Sequence, residues 1–312
     1  MRRAHPRYGA AVGLFRRRRR KPEPWDLVTE AVAAFGRAGV PVTPGADGEL
    51  RTSDGHVYGL HNLELVLRTA PRAQWPRIVD HHARTMAAAR EDEAPTSVEK
   101  VRDILLPRVV DTGAAGGTLP AAALAAGRPL APGLTVLPAL DRPATVATLS
   151  AVDDLGGWDA IWPVATANLR HLPLPEHLPV DTETVPSARV HVFRSDDFFG
   201  ASRVLDLDHL LAAVLRLERP AHGTLVALPN RHVLAVHVVD SAAVLRAVPA
   251  LLAFAEAQVD GPGPLSPHVY YRSPDGRLEQ VSRRDPDGSV HVDATGALGT
   301  ALSRLGLTGD DD

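Results

Sequence analysis

Thr224-Leu225-Val226-Ala227-Leu228-Pro229-Asn230-Arg231-His232-Val233-Leu234-Ala235-Val236-His237-Val238-Val239 sets two apolar, largely β-branched runs on either side of Pro-Asn-Arg-His. Short runs of this kind bounded by turn formers read as strands, and the interval joins 224–228 and 233–239 as a β-hairpin. The next segments alternate with it. Leu205, Leu207, Leu210, Leu211, Val214 and Leu215 recur at helical spacing over 201–216, and a second helix reads over 241–258, bent or started late by Pro249. A last hairpin, 268–272 with 277–281, turns at Ser273-Pro274-Asp275-Gly276.

Upstream, 189–193 reads as a strand after a Pro-rich connector at 173–186, and 156–171 as a helix despite Pro163. Residues 134–140 and 145–152 pair across Asp141-Arg142-Pro143. The expected fold class is α+β, with a main domain at 134–285 whose strands are mainly antiparallel. It follows a helix–hairpin–helix N-terminal unit at 25–93. There Leu27, Val28, Ala31, Val32 and Phe35 start a helix, short strands near 48–51 and 56–60 flank Ser53-Asp54-Gly55, 61–70 favours a short helix, and 73–90 a longer one. Residues 94–133 read as a connector. It holds a buried extended piece, 103–110, that Pro107 confines to an edge or bend, and an Ala/Gly/Pro-rich insertion at 111–133. Residues 286–312 read as a C-terminal helix and the acidic tail Asp310-Asp311-Asp312.

Composition excludes whole classes of function. The chain has 312 residues and no cysteine, which removes disulfides, thiolate zinc sites, iron–sulfur clusters and cysteine nucleophiles. Neither lysine, Lys21 or Lys100, lies in a phosphate-binding P-loop. Gly113, Gly116 and Gly117 lack the strand before and helix after that a dinucleotide fingerprint needs. No apolar run approaches the ~20 residues that span a bilayer, and 8–15 is too short and glycine-containing for a secretory signal. Cytoplasmic location is the expectation.

Charge is divided. Against a formal −3 for the whole chain, Arg2, Arg3, Arg7, Arg16, Arg17, Arg18, Arg19, Arg20 and Lys21 form a leader without an acid. That leaves 25 basic and 37 acidic groups, a formal −12, for residues 22–312. Binding of nucleic acid through the acidic body is therefore not expected. Weak affinity for polyanions would reside in Arg16 to Lys21, unless residues 1–24 are only a solvated tail or an overextended gene start.

Candidate chemistry is sparse. His81 and His82 are adjacent and point about 100° apart on a helix, so they do not converge on a metal with Glu91 and Glu93. His232 and His237, five apart in one strand, fall on opposite faces. Gly200-Ala201-Ser202-Arg203-Val204 has the first half of a nucleophile elbow without its closing glycine, which leaves helix capping as the plainer role for Ser202. Asp196 and Asp197 just before it are placed to hold a cation, act as acid and base, or favour the N-terminus of the following helix.

Ala167-Asn168-Leu169-Arg170-His171-Leu172-Pro173, Asp197-Phe198-Phe199-Gly200-Ala201-Ser202-Arg203-Val204-Leu205, Val226-Ala227-Leu228-Pro229-Asn230-Arg231-His232-Val233-Leu234 and the Tyr270 to Leu278 hairpin occur in an order that resembles the YtpQ-like bacterial proteins. The agreement runs over roughly 150–285 and more loosely back to Trp25. The leader, the 111–133 insertion and the acidic tail depart from it. The resemblance implies a cytosolic bacterial α+β protein carrying a domain of unknown function, and it brings no catalytic residues with it.

The expectation is a non-catalytic binding or adaptor protein with a protein partner. No catalytic, cofactor or metal residue is assigned. Asn168, Arg170, Asp197, Ser202, Arg203, Asn230 and His232 are candidates for binding or for holding turns. The alternative is a hydrolase or phosphate-handling enzyme built on Asp196, Asp197, Ser202 and Arg203. Geometry separates the two: Asp197, Arg170, Arg203 and His232 either line one cleft or lock separate turns.

Overall fold

The computed structural model describes residues 25–45, 48–90, 95–112, 119, 121–143, 145–182, 185–285 and 287–307. The basic leader and the Asp310–Asp312 tail lie outside them, as do Glu91, Glu93, Gly113, Gly116 and Gly117. Helix α1 (Leu27–Arg37) starts where the Asp26 carboxylate accepts the Thr29 N–H at 2.8 Å, satisfying one of the free donors of a helix end. Strands β1 (Thr43–Pro44), β2 (Glu49–Arg51) and β3 (Val57–Gly59) follow, then α2 (His61–Thr69) and α3 (Trp75–Arg90). Phe35, Leu50, Tyr58, Leu63 and Val79 close this unit's core. The expected hairpin is three-stranded, because Thr43 and Pro44 add to the edge of β2.

The chain continues through α4 (Val98–Val101), β4 (Leu105–Asp111), α5 (Ala121–Ala125), β5 (Arg128–Ala131), β6 (Leu134–Asp141), β7 (Val146–Thr148) and α6 (Gly157–His171). Strands β4, β6 and β5 form one sheet, with β7 also on β6. The stretch read as a connector thus contributes two strands to this sheet, the largely buried β4 and the more exposed β5. Pro107 lies on the edge strand β4, as expected. Pro138 is tolerated in the central strand because β6 changes partner around it, from β5 at 134–136 to β7 at 139–141.

Next come β8 (Glu176–Thr182), β9 (Val185–Arg194), α7 (Leu207–Leu215), β10 (Thr224–Asn230), β11 (Val233–Val238), α8 (Val244–Gln258), β12 (Val269–Arg272), β13 (Leu278–Gln280), β14 (Ser282–Arg284), β15 (Val290–Val292) and α9 (Ala297–Arg304). The main sheet has the order β13-β12-β10-β11-β9-β8, with every neighbouring pair antiparallel. The fold is α+β. Four readings are corrected. The Pro-rich connector contains strand β8, because Pro179 occupies a sheet edge where a missing N–H costs nothing. The expected helix at 201–216 begins as a 3₁₀ turn, Ala201–Asp206, and becomes α-helical only at Leu207. Helix α8 starts at Val244 and holds Pro249 within it. The C-terminal segment adds the β14–β15 hairpin before its helix.

The two strand runs within 224–239 are largely apolar on both faces because the sheet is covered on both faces. Leu225, Ala227, Val233 and Ala235 pack under α8 and α9, while Val226, Leu228, Leu234 and Val236 meet β4, β6, the 3₁₀ turn and α7. Tyr271 and Tyr270 repeat this alternation on β12. Each removes on the order of 200 Å² from water, about 5 kcal/mol as an upper bound. Their hydroxyls are satisfied by the carbonyls of His222 and Pro132.

Candidate functional site

The segment leaving β9 turns at Ser195-Asp196-Asp197 into the 3₁₀ turn, beside the tip of the β10–β11 hairpin. Asp197 folds back on its own loop: Oδ1 accepts the Phe199 N–H at 2.8 Å, an Asx-type turn. Arg203 forks onto the same carboxylate at 3.1 and 2.9 Å and also donates to the Pro173 carbonyl. With only 6% of its side chain exposed, Arg203 needs this pair, since an unpaired buried charge is far costlier than a paired one. Asp196 is exposed and makes no such bond among the described residues. The adjacent carboxylates therefore do not work as a pair.

His232 stands at the hairpin tip. Its Nδ1 lies 2.9 Å from the Asp197 carbonyl and 3.2 Å from that of Ser195, and its Nε2 lies 3.0 Å from Arg231 Nε. Carbonyls accept and Arg231 donates, so the ring is the neutral Nδ1–H tautomer with no lone pair left over. Burial, and then Arg231, hold its pKa below the ordinary imidazole value.

The other candidates are fasteners. Ser202 is 1% exposed, and its Oγ accepts the Val109 N–H at 2.9 Å. It lies within the 3₁₀ turn and satisfies a donor on β4, which corrects the helix-cap expectation. Asn168 donates to the carbonyls of Arg102 and Leu105, anchoring the start of β4. Asn230 donates to the Gln258 carbonyl and accepts the His232 N–H. Arg170 pairs with Asp206. Arg170 and Arg203 do share a shallow cleft with Leu172, Leu174 and His209, but at about 20 Å³ it has room for roughly one water. Asp197 and His232 do not line it. A wider opening of about 430 Å³ beside Gly127, Ser150, Asp153 and Trp158 contains none of the sequence candidates.

Comparison with family models, curated proteins and solved structures finds no match. The site rests on its own geometry.

The histidines are dispersed. His82 lies edge-on to Phe35, and His237 Nδ1 donates to the Arg189 carbonyl. His177 Nε2 and His191 Nδ1 meet at 3.0 Å. Their ring centres are 5.2 Å apart with planes 26° from parallel, which describes two rings hydrogen-bonded edge to edge rather than stacked. Among the described residues, no group of three or more His, Asp or Glu is placed to hold a metal ion, and no helix is long and apolar enough to cross a membrane.

Two arginines escaped the sequence reading. Arg108 projects from β4 with its Nε closed from solvent and without a hydrogen-bond partner among the described residues. Its one side-chain bond among the described residues is a long one, 3.4 Å to Thr148 Oγ1. Arg231 lies 4.2 Å over the Phe198 ring. The legible signal was a charge inside a run, Leu105-Leu106-Pro107-Arg108-Val109-Val110, otherwise fit only for burial.

Proposed function

We propose that this chain is a non-catalytic binding or adaptor protein of the bacterial cytosol, related to the YtpQ-like proteins and acting through a protein partner. The observation that carries this reading is the state of the turn from 195 to 203. The Asp197 carboxylate, both nitrogens of His232 and the Ser202 hydroxyl are all engaged inside the fold. A hydrolase needs a nucleophile whose proton a base can take, and here Ser202 and His232 serve different partners. The order of motifs shared with the YtpQ-like proteins supports a common scaffold, since these residues are the ones that fasten it.

The test is capture from native cells with the full chain and with residues 25–312, alongside a turnover screen of phosphate and carboxylate esters. A stable, stoichiometric protein partner and no turnover is the expected outcome. Turnover that disappears in Asp197→Asn and Ser202→Ala, with no partner recovered, would establish the enzyme reading instead.

A further inference from the structure

The opening beside the start of α6 encloses about 430 Å³, within the roughly 300–1,000 Å³ of small-molecule sites. Its polar side chains are Ser150, Asp153 and Asp154, and its apolar ones include Ala125, Ala126 and Trp158. No Lys, Arg or His lines it among the described residues. Asp153 and Asp154 sit in a 3₁₀ turn, Asp153–Leu155, and neither carboxylate caps that turn or α6. Backbone bonds close the turn instead: the Val152 carbonyl accepts the N–H groups of Leu155 and Gly157, and the Asp153 carbonyl accepts that of Gly156. Among the described residues neither carboxylate has a hydrogen-bond or ion-pair partner. Two negative charges border the opening unspent.

The walls are fixed. Val152 and Leu155, on either side of the two acids, are buried in a core with Ile161 and Ala165, while Asp153 and Asp154 stay exposed. A second wall is the loop from α5 into β5. Trp158 Nε1 donates to the Ala126 carbonyl at 3.0 Å and ties that loop to α6. At Gly127 a Cβ would stand 2.7 Å from Thr135 Oγ1 and 2.8 Å from Leu137 Cδ2, so only glycine lets the loop lie this close to β6. With its N–H engaged, Trp158 offers its partly exposed ring. An indole ring attracts cations through its quadrupole, and carboxylates attract them by charge. Both features therefore select the same sign of ligand. A metal ion is poorly served, since no group of three or more His, Asp or Glu among the described residues is placed to hold one. An organic cation needs no such shell.

We propose that this opening binds a small free aliphatic amine, with ammonium on the carboxylates of Asp153 and Asp154 and methylenes on Trp158 and the alanines. An ammonium group carries three N–H donors and no acceptor, which suits a rim of two carboxylates and the Ser150 hydroxyl oxygen. Its methylene stem covers apolar surface while the charge stays beside water. This ligand site goes beyond the proposed partner-binding role and does not depend on it.

The test uses the full chain at pH 7.5, titrated with diaminobutane, butylamine, butanediol and magnesium chloride at an ionic strength matched with sodium chloride. Isothermal titration calorimetry and tryptophan fluorescence provide the readouts. Saturable binding of both amines is expected. Asp153→Asn and Asp154→Asn should each weaken diaminobutane binding about 5-fold, the size of an exposed ion pair. Butanediol, which forgoes both pairs, should bind about 20-fold more weakly. Asp159→Asn is the control: this acid is exposed in the first turn of α6 but lies outside the opening, and its loss should leave binding unchanged. Amine effects no larger than those of sodium chloride, or full binding in the Asp153→Asn/Asp154→Asn double variant, would overturn the proposal. So would butanediol binding as tight as diaminobutane, magnesium binding tighter than either amine, or an equal loss in Asp159→Asn.

Discussion

Gly200→Ala should be among the most damaging single-methyl additions in this protein. Gly200 has helical dihedrals, so its backbone would accept alanine, but its α-carbon lies against the hairpin tip. A Cβ there would be 2.5 Å from the His232 carbonyl oxygen and 2.6 Å from its carbon, whereas ordinary contact begins at 3.4 Å. The two segments must separate by about 0.9 Å. They are joined by Ser195 N–H to the His232 carbonyl at 2.9 Å and by Ala201 N–H to the Arg231 carbonyl at 3.0 Å, and both bonds stretch. Overpacking of this size costs about 1–3 kcal/mol, and two weakened hydrogen bonds add about 1–2 kcal/mol. A loss of about 3 kcal/mol, at a urea m-value of about 2–3 kcal/mol/M, lowers the unfolding midpoint by about 1–1.5 M. Gly36→Ala is the control: it lies within α1 with nothing within 4 Å of the new methyl, and should gain about 0.5–1 kcal/mol. Urea unfolding followed by circular dichroism measures both. A Gly200→Ala midpoint within 0.3 M of the parent, roughly 1 kcal/mol on that slope, would refute the close-approach argument.

Ser202→Ala strands the buried Val109 N–H and should cost about 1–3 kcal/mol, with faster hydrogen exchange at Val109; unchanged exchange there counts against the assigned bond. Asp197→Ala should destabilise more than Asp197→Asn, since asparagine retains an acceptor for the Phe199 N–H while alanine removes both the turn and the partner of Arg203. Equal midpoints for the two variants would contradict this. Acid should weaken the fold through its histidines. Burial, and then His81, hold His82 at about 4, and burial followed by His177 does the same for His191. Both folded values lie below the unfolded value near 6.5, so the unfolded chain binds more protons in that interval. Stability contributed above about pH 6.5 is lost as pH falls toward 4 and levels off below it. In His82→Leu the difference in stability between pH 7.5 and 4.5 should narrow; an undiminished difference rules His82 out as a source.

The sequence made legible those elements whose burial is continuous. The 224–239 hairpin, α6 and the 268–281 hairpin were readable because an apolar run or stripe with turn residues at its ends has few alternatives. Strand β8 was hidden by its prolines, which signal a linker everywhere except at a sheet edge, and edge position is a tertiary fact. The β14–β15 hairpin was hidden because Arg283, Arg284, Val290, His291 and Val292 are exposed, leaving no alternation to read. Ser202 drew attention as a hydroxyl near acids, yet its partner is a backbone N–H that no local pattern announces. Arg108 does stand out locally: a guanidinium within a strand otherwise fit only for burial raises the question of its counter-charge.

The bond between Ser202 and Val109 spans 93 positions, and this orders events during synthesis. Strand β4 leaves the ribosome before β6, its strand partner among the described residues, and 93 positions before the serine that satisfies its buried amide. At roughly 5–20 residues per second, that interval is about 5–20 s. Through it the nascent chain carries an apolar strand with an open edge, and within that strand stands Arg108. A charge in an unpaired strand discourages association with other chains, so the same guanidinium that has no carboxylate partner among the described residues of the finished fold protects the strand while the fold is being made.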